Sequence, residues 1–490
     1  MPELATIEDT SPGALDALLA AAVAASDPYG ALGAPERARC LEAVAASLEA
    51  AEAELVELAG EETHLSHERL SGELRRTTFQ LRLFAEVVRR GEYLEATIDH
   101  ADPSWPPAPR PDLRRVLVPL GPALVFAASN FPFAFSVAGG DTASALAAGC
   151  PVILKASPGH PRLSARTGQL VAEALEAAGA PAGTFGVIFG QEAGAAAIVD
   201  ARVRVAAFTG SLAGGRALFV LATSRADPIP FYGELGSLNP VFVTAAAARR
   251  RRDEIVRGFV SSFTLGAGQF CTKPGLLFVP AGAGFEAAAA ELASGQAGAE
   301  LLNDRLAEGY RRSLEALARR PGVDVVLAGS PDERRVTPTL LATDLANVVR
   351  DAEHLLVECF GPAALIVAHD DDDALVEVAS RLPGQLSAAV HGEETGDPTA
   401  ARLVAMLAKV AGRVVWNGWP TGVAVTWATH HGGPYPATTS PSHTSVGTAA
   451  IERFLRPVAF QDVPDALLPP ALQEANPLGI PRRVDGVAGR

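Results

Sequence analysis

The chain has 490 residues, of which 48% are hydrophobic and 20% charged, with 46 glycines and 37 prolines. This length exceeds what one hydrophobic core usually organises, so two or three globular domains are expected, and the composition excludes a disordered or fibrous protein. Asp and Glu total 56 against 41 Lys and Arg, a net charge of −15, which argues against nucleic acid or an anionic membrane as a partner. A small molecule is the more natural ligand.

The sequence indicates a cytoplasmic protein. Its start, MPELATIEDTSPG, lacks the basic and apolar regions of a signal peptide, and no segment approaches the roughly 20 apolar residues that span a bilayer. The four cysteines are too few for a disulfide framework, and they show neither a CxxC motif nor a cluster with histidine, so we expect no metal site. Such sparse use of cysteine fits a reducing compartment.

The first hundred residues predict amphipathic helices. Ser11-Pro12 is a helix start signal, and apolar residues then recur at helical spacing in a segment that ends on Gly60. A second amphipathic segment ends at Gly91. Residues 102–115, DPSWPPAPRPDLRR, form a proline-rich break that predicts a linker or an extended excursion.

From residue 116 to about 234, short apolar runs alternate with helical segments. Runs that are apolar throughout and separated by helices predict a parallel sheet covered on both faces, a doubly wound α/β unit that binds ligands beyond the carboxyl ends of its strands. A second, less regular α/β region follows, and the tail contains an extended LRPVAF segment. The runs of the first region are ALVFAA (123–128), PVILKA (151–156), TFGVIFG (184–190) and VRVAAFTG (203–210). The candidate strands of the second region are NPVFVT, GLLFVP, VDVVLAG, AALIVAHD and GRVVWNGW.

Gly210, Ser211 and Gly214 lie where a predicted strand turns into a helix. Backbone N–H groups and the helix dipole at such a position favour a phosphate. The spacing is GSxxG rather than GxGxxG, so for this motif alone a plain strand-to-helix turn is the better interpretation.

Other polar residues also follow apolar strands. Lys155 either reaches the surface or binds the ribose hydroxyls of a ligand, and Asn130 either caps a turn or donates a hydrogen bond to a developing oxyanion. Glu234 lies in apolar surroundings that should raise its pKa, and it is either a paired structural acid or a general base. Glu358 repeats this arrangement ahead of a Phe-Gly-Pro turn.

Cys271 lies in the glycine-rich stretch LGAGQFCTKPG, where its backbone N–H can point at a substrate. A lone cysteine is by default a small buried hydrophobe. In company with an amide, a lysine, a phosphate turn and a glutamate at strand ends, it completes the set needed to attack a carbonyl and pass a hydride to a bound dinucleotide.

With these residues assembled, the chain resembles the aldehyde dehydrogenase superfamily along nearly its whole length. Six motifs occur in the family order, and the segments FSVAGGDTASALAAGCPVILKA, HGGPYPATT and TSVGTAAIERFLRPVAFQDVPDALLP resemble the branch that contains α-ketoglutarate semialdehyde (2,5-dioxovalerate) dehydrogenases and a bacterial NADP-dependent fatty aldehyde dehydrogenase. The six motifs are SNFP (129–132), PVILK (151–155), FTGS (208–211), ELGSLNP (234–240), GQFC (268–271) and ECFGP (358–362).

The resemblance implies a mechanism. Cys271 would add to an aldehyde to give a thiohemiacetal whose oxyanion is held by the Asn130 side chain and the Cys271 backbone N–H. Hydride would pass to the nicotinamide, and Glu234 would activate water to release the carboxylic acid. Because a cysteine pKa of about 8.5 leaves little thiolate at neutral pH, the nicotinamide cation or a water chain to Glu234 is expected to activate the sulfur.

The resemblance also assigns a dinucleotide site. NAD-preferring relatives carry a glutamate three residues after the lysine, where this chain has Pro158, so NADP or use of both cofactors is favoured, with His160 or Arg162 facing the 2′-phosphate. The assigned cofactor residues are Lys155, Ser157, Gly210, Ser211, Gly214, Glu358 and Phe360.

The substrate pocket is expected to be lined by Phe131, Phe135, Phe270 and Trp419. An aldehyde that also bears a carboxylate would need an arginine, which the sequence does not identify.

The implied architecture is the aldehyde dehydrogenase fold. It has a Rossmann-like cofactor domain (1–100 and 120–234), an α/β catalytic domain (235–445), and a small β oligomerisation element and tail (101–119 and 446–490). Residues 455–463 are the candidate for a strand that crosses to a neighbour in a homodimer or homotetramer.

The expected function is NAD(P)-dependent oxidation of an aldehyde to a carboxylic acid, with 2,5-dioxovalerate to 2-oxoglutarate as the leading reaction. Oxidation of medium- or long-chain aliphatic aldehydes stays open. So do acyl transfer to coenzyme A, against which Glu234 argues, and a thiol hydrolase or a non-catalytic dinucleotide-binding protein on this fold.

Overall fold

The computed structural model describes residues 7–330 and 335–489, and four helices open it. Ser11 caps the first helix with its hydroxyl, and Gly91 closes the fourth with a φ of 70°, a left-handed conformation that glycine adopts without steric cost. The helix expected to end on Gly60 instead runs on to Thr63. The elements are α1 Pro12–Gly30, α2 Ala34–Ala50, α3 Glu52–Thr63, α4 His67–Arg90, β1 Thr97–Asp99 and β2 Leu113–Pro119.

The next unit is a five-stranded parallel sheet with helices on both faces. Its elements are β3 Ala123–Phe126, α5 Gly140–Ala148, β4 Val152–Lys155, α6 Pro161–Ala177, β5 Phe185–Ile188, α7 Gln191–Val199, β6 Val205–Thr209, α8 Leu212–Thr223 and β7 Phe231–Glu234. The strand order is β5-β4-β3-β6-β7. Successive residues of β3 alternate between two cores, with Val125 facing α2, α4 and α6 and Leu124 facing α1 and α7. This is the doubly wound unit that the apolar runs predict.

A seven-stranded sheet organises the second α/β unit. Its elements are β8 Val241–Val243, α9 Ala245–Thr264, β9 Leu276–Pro280, α10 Phe285–Ser294, β10 Ala299–Glu300, α11 Asp304–Ala318, β11 Asp324–Leu327, β12 Arg335–Val336, β13 Thr339–Asp344, α12 Leu345–Arg350, α13 Ala352–Leu355, β14 Ala363–His369, α14 Asp372–Arg381, β15 Gln385–His391, α15 Pro398–Leu407 and β16 Ala411–Trp416. The order is β11-β13-β14-β9-β8-β15-β16, parallel except for β11, and β10 pairs with β12. Strands β13 and β15 lie inside this sheet but escape the sequence analysis.

A small sheet joins the proline-rich excursion to the tail. The remaining strands are β17 Leu455–Gln461, β18 Arg483–Val484 and β19 Val487–Ala488, and the order is β17-β2-β1-β18-β19. Short 3-10 helices span Glu92–Leu94, Leu265–Gly268, Thr448–Phe454, Asp465–Leu467 and Pro470–Leu472. The extended LRPVAF segment is therefore an edge strand, antiparallel to β2. Among the helices of the described residues, none has both the length and the apolar character needed to traverse a bilayer.

Candidate active site

A left-handed turn presents Cys271. Gly266, Ala267 and Gly268 have φ values of 57°, 55° and 67°, a conformation in which glycine is the least strained residue. A Cβ atom on Gly268 would lie 2.1 Å from the carbonyl oxygen of Gly361, so this position excludes any side chain. The turn brings the sulfur of the half-buried Cys271 towards Glu234, the last residue of β7.

Cys271 and Glu234 form a cluster with His431, a residue to which the sequence analysis gives no role. The Nε2 atom of His431 lies 2.9 Å from Glu234 Oε1 and 3.7 Å from Cys271 Sγ. One donor atom from each of the three side chains lies within 4.8 Å of the other two. This cluster places a nucleophilic sulfur, a carboxylate and an imidazole around one point.

The segment that contains His431 also supplies Ser445, whose hydroxyl donates to Glu234 Oε2 and lies 3.1 Å from the His431 carbonyl oxygen. The two residues are tied together, since Ser445 N donates to His431 O at 2.9 Å and His431 N donates to Thr444 Oγ1 at 2.8 Å. Both fall in stretches already singled out, HGGPYPATT and TSVGT. The sequence offered one signal, a histidine followed by two glycines. Nothing in the local sequence indicates that this histidine contacts Glu234, which lies almost 200 residues earlier.

These contacts reverse the expected direction of the pKa shift of Glu234. Burial raises this pKa, but attraction to His431 and hydrogen bonds from His431, Ser445 and Cys271 outweigh burial, so the net shift is downward. The expectation of a raised pKa is therefore wrong, because it assumed apolar surroundings. The pKa of the Cys271 thiol is raised by burial and by the neighbouring Glu234 carboxylate, so the sulfur is held as a neutral thiol that needs a base.

Asn130 lies beside the cysteine turn. Its side-chain Nδ2 donates to the Gln269 carbonyl oxygen at 3.0 Å, and its backbone carbonyl oxygen accepts a hydrogen bond from Arg69 at 3.1 Å. An amide carries two N–H donors, so one remains for another acceptor. The amide is thus fixed to the backbone of Gln269, which precedes Cys271 by two residues.

Three of the four expected pocket residues pack together. The ring centroid of Phe131 lies 5.3 Å from that of Phe135 and 5.2 Å from that of Phe270, both edge-to-face. Trp419 is not with them, since its ring contacts His391 at 4.7 Å and a phenylalanine of α9 at 6.0 Å. Val423 and Val425, a few residues after Trp419, pack in the same apolar cluster as Phe135.

Five of the seven residues assigned to a dinucleotide lie at or shortly after the ends of β4 and β6 in the first sheet. Lys155 ends β4, and its amine makes no ion pair within 4.0 Å in the part of the chain that the structure describes. Buried Ser157 shares a hydrogen bond with Ser129 at 2.8 Å. Ser211 caps α8 by accepting the Gly214 N–H at 3.3 Å, and the Gly210 N–H is donated to the Glu234 carbonyl oxygen at 3.1 Å. Exposed Leu212 and Ala213 follow in the first turn, where backbone N–H groups of a helix lack partners within the helix.

Glu358 stands on the other side of the cysteine turn. A Cβ atom on Gly236 would lie 2.4 Å from Glu358 Oε2, so the carboxylate rests directly on the backbone of the ELGS motif. Burial raises the pKa of Glu358 to about 7 against the attraction of Lys273. The Lys273 amine donates to the carbonyls of Cys359 and Ala363, both at 2.7 Å, which fastens the turn containing half-buried Phe360 to the Cys271 loop.

Neither residue considered for the 2′-phosphate is available. His160 is fully buried, with its ring nitrogens 3.2 Å from Ser164 Oγ and 3.1 Å from the Ala128 carbonyl oxygen. Arg162 is paired with Glu61 at 2.8 Å and with Glu62. His160 is the residue before α6 and is held inside the first unit, while Arg162, in the first turn of α6, pairs with α3.

The sulfur, imidazole and carboxylate of Cys271, His431 and Glu234 are also a donor set that Zn2+ accepts. A bond to zinc would draw electron density from the sulfur and lower its nucleophilicity.

Two α/β units thus bring a thiol, a carboxylate and an imidazole together. The chain belongs to the aldehyde dehydrogenase family, whose model matches residues 2–457. As a member of it, the protein is an NAD(P)-dependent aldehyde dehydrogenase.

Individual relatives agree with this membership. The chain is 47% identical over 470 residues to alpha-ketoglutaric semialdehyde dehydrogenase 2 of Azospirillum brasilense, covering 95% of this chain and 90% of that one. It is 44% identical over 461 residues to the alpha-ketoglutaric semialdehyde dehydrogenase of Acinetobacter baylyi, covering 92% and 87%. The crystal structure of aldehyde dehydrogenase 21 from Physcomitrella patens has the same fold, with a TM-score of 0.78 at 21% identity over 93% of this chain and 92% of that one.

Proposed function

We propose that the protein oxidises α-ketoglutarate semialdehyde (2,5-dioxovalerate) to 2-oxoglutarate. The observation that carries the chemistry is the cluster of Cys271, Glu234 and His431. The substrate is suggested by two relatives with 47% and 44% identity over most of the chain, both of which bear that activity in their names.

In the proposed mechanism the thiol proton of Cys271 passes to Glu234 while His431 holds the carboxylate through Nε2. The thiolate adds to the aldehyde, and the free N–H of Asn130 with the Cys271 backbone N–H bind the resulting oxyanion. A nicotinamide cofactor held by Lys155, Ser211 and Glu358 would accept the hydride that is released when the thiohemiacetal on Cys271 becomes a thioester. Glu234 releases the thiol proton to solvent and then takes a proton from the water that adds to the thioester. It returns this second proton to the leaving sulfur, which releases the acid and restores the thiol.

The residues at the dinucleotide site fit such a cofactor. Lys155 offers an unpaired ammonium to ribose hydroxyls, Ser211 and the start of α8 offer N–H donors to a pyrophosphate, and Glu358 offers a carboxylate to the second ribose. Ser157 follows Lys155 by two residues, and Phe360 follows Glu358 by two residues.

We also propose use of both cofactors with NADP favoured. Burial lowers the pKa of Lys155, the Asp9 carboxylate opposes this shift and the Arg305 guanidinium adds to it, so both charged groups lie within electrostatic range of the ammonium. Pro158 supplies no carboxylate. Asp9 can accept the 2′-hydroxyl of NAD, and Arg305 can bind a 2′-phosphate. Arg305→Ala should raise the KM for NADP more than that for NAD, and equal effects on the two would contradict this assignment.

We further propose a cytoplasmic homodimer or homotetramer. The four cysteines are unpaired, which suits a reducing compartment, and β17 is a free edge strand of the small sheet. Light scattering of the full chain and of a variant with Ala459→Pro in β17 tests the assembly, since a proline removes a ladder donor from that edge.

The experiment for the reaction follows reduced cofactor by absorbance with 2,5-dioxovalerate, a long-chain aldehyde and a thioester, each with NAD and with NADP. Preference for the semialdehyde with Cys271-dependent turnover is expected. Preference for the long-chain aldehyde would overturn the substrate, and thioester hydrolysis without reduced cofactor would overturn the reaction.

A further inference from the structure

One face of α4 carries three charged residues beside the substrate pocket. Arg69, Glu73 and Arg76 are spaced four and three residues apart, so they share that face. Buried Glu73 accepts the N–H groups of Phe133 and Ala134, both at 2.9 Å, and thereby holds the loop that presents Asn130 and Phe131. The face is consequently part of the wall of the active site.

The two arginines differ in how their charge is balanced. Arg69 lies 3.5 Å from the Glu73 carboxylate and over the rings of Phe131 and Phe270 at 4.8 and 4.5 Å. Arg76 has no carboxylate within 4.0 Å in the described part of the chain, and it donates one long hydrogen bond of 3.4 Å, to the Val423 carbonyl oxygen. A carbonyl dipole accepts a hydrogen bond without neutralising a guanidinium.

Arg76 also faces the reacting groups. Its guanidinium lies 5.5 Å from the ring centroid of Phe135, which itself lies 6.5 Å from the ring of His431. Burial lowers the pKa of Arg76, and attraction to Glu73, Cys271 and Glu234 opposes this, so the cation stands within electrostatic range of both catalytic groups.

A second arginine approaches from the other unit. Arg413 on β16 donates to the carbonyls of Gly422, at 2.9 Å, and Pro420, and its buried Nε has no partner. It too is attracted to Cys271. The loop of residues 420–423 is thus held between two guanidinium groups, neither of which has a carboxylate partner in the described residues.

We propose that Arg76 binds the distal carboxylate of the substrate, and that Arg413 holds the loop against it and adds to the positive potential. This inference rests on the proposed function, because 2,5-dioxovalerate carries its carboxylate at the end opposite the aldehyde. The phenylalanines bury the carbon chain, and the planar guanidinium binds the carboxylate with two parallel hydrogen bonds.

The test compares glutarate semialdehyde with pentanal, which has the same chain length without a carboxylate. Arg76→Met keeps the length of the side chain but removes its charge, and it should lower kcat/KM for the semialdehyde by about 10- to 100-fold more than for pentanal, mainly through KM. Arg76→Lys should give an intermediate ratio. Arg75→Met is the matched control, since Arg75 is the adjacent exposed residue of α4, 3.5 Å from Glu52, and its ratio should match the wild type.

Equal losses on both aldehydes in Arg76→Met and Arg76→Lys, each with an unchanged melting temperature, would overturn the assignment and make Arg76 an anchor for the loop. A wild-type enzyme that prefers pentanal to both glutarate semialdehyde and 2,5-dioxovalerate would instead overturn the proposed substrate. Loss of selectivity in Arg75→Met equal to that in Arg76→Met would also remove the proposal, because the effect would then arise from the helix.

Discussion

The cofactor side and the thiol side of the active site are built in opposite ways. On the cofactor side, Lys155 and Ser211 lie at the ends of parallel strands or at a helix start, so the sheet itself brings them together. On the thiol side, His431 and Ser445 come from an irregular segment and are positioned by bonds to each other and to Glu234. Regular structure therefore places the groups proposed to bind the cofactor, while long-range loop contacts place the groups proposed for acid–base chemistry.

The sharpest way to break this contrast is Glu234→Gln, because the proposed mechanism uses this carboxylate twice. We expect kcat to fall by about 10²–10⁴-fold. Acylation slows because the thiol loses its base, and the acylated Cys271 that does form persists because water is no longer activated. Mass spectrometry of the denatured protein after mixing with aldehyde and NAD(P) detects the adduct. Cys271→Ala is the control without adduct, and wild-type turnover in Glu234→Gln would assign the base elsewhere.

The next effect concerns His431. In His431→Leu the Glu234 carboxylate loses its strongest hydrogen-bond donor, so burial should dominate and raise the pKa of Glu234. A raised pKa means that the carboxylate is protonated, and inactive as a base, at a higher pH, so the acid limb of the kcat profile should move upward. We expect a loss of about 10- to 100-fold near neutral pH that shrinks as the pH rises.

A matched variant separates charge from shape at this position. His431→Gln keeps an N–H donor near Glu234 and should move the acid limb less than His431→Leu. If both variants lower kcat by the same factor at every pH, the histidine only fills space and the contrast between the two sides fails.

The same contrast explains what the sequence predicts. Apolar runs and their following polar residues predict the first sheet and the placement of Lys155 and Ser211, because both depend on local periodicity. Strand β15 is missed because QLSAAVH mixes polar and apolar residues although every one of them is buried. The low pKa of Glu234 is missed because its donors are distant in sequence, and Trp419 is placed in the pocket although it packs on α9. The catalytic and cofactor roles themselves stay predictions until the variants are measured.

A smaller effect tests the cofactor side through Glu358. Its pKa of about 7 means that the carboxylate is mostly neutral at pH 6 and mostly ionised at pH 8. Only the ionised form accepts two ribose hydroxyls, so the KM for NAD(P) should fall by several-fold to about tenfold across that range in the wild type. Glu358→Gln should abolish this dependence, and an unchanged pH dependence in that variant would move it to another group.

The smallest effect is expected for Ser211, because the proposed pyrophosphate site there consists mainly of the backbone N–H groups at the start of α8. Ser211→Ala removes the N-cap of α8 and should cost about 0.5–2 kcal/mol of local helix stability, with a rise of about two- to threefold in the KM for NAD(P) and little change in kcat. Ser211→Thr keeps the cap and should stay near the wild type. Thr223→Ala at the other end of α8, where the hydroxyl donates to Phe219 O at 2.8 Å, is the control for helix stability alone. If Thr223→Ala raises the KM as much as Ser211→Ala, the effect reports helix fraying, and the start of α8 does not hold the pyrophosphate.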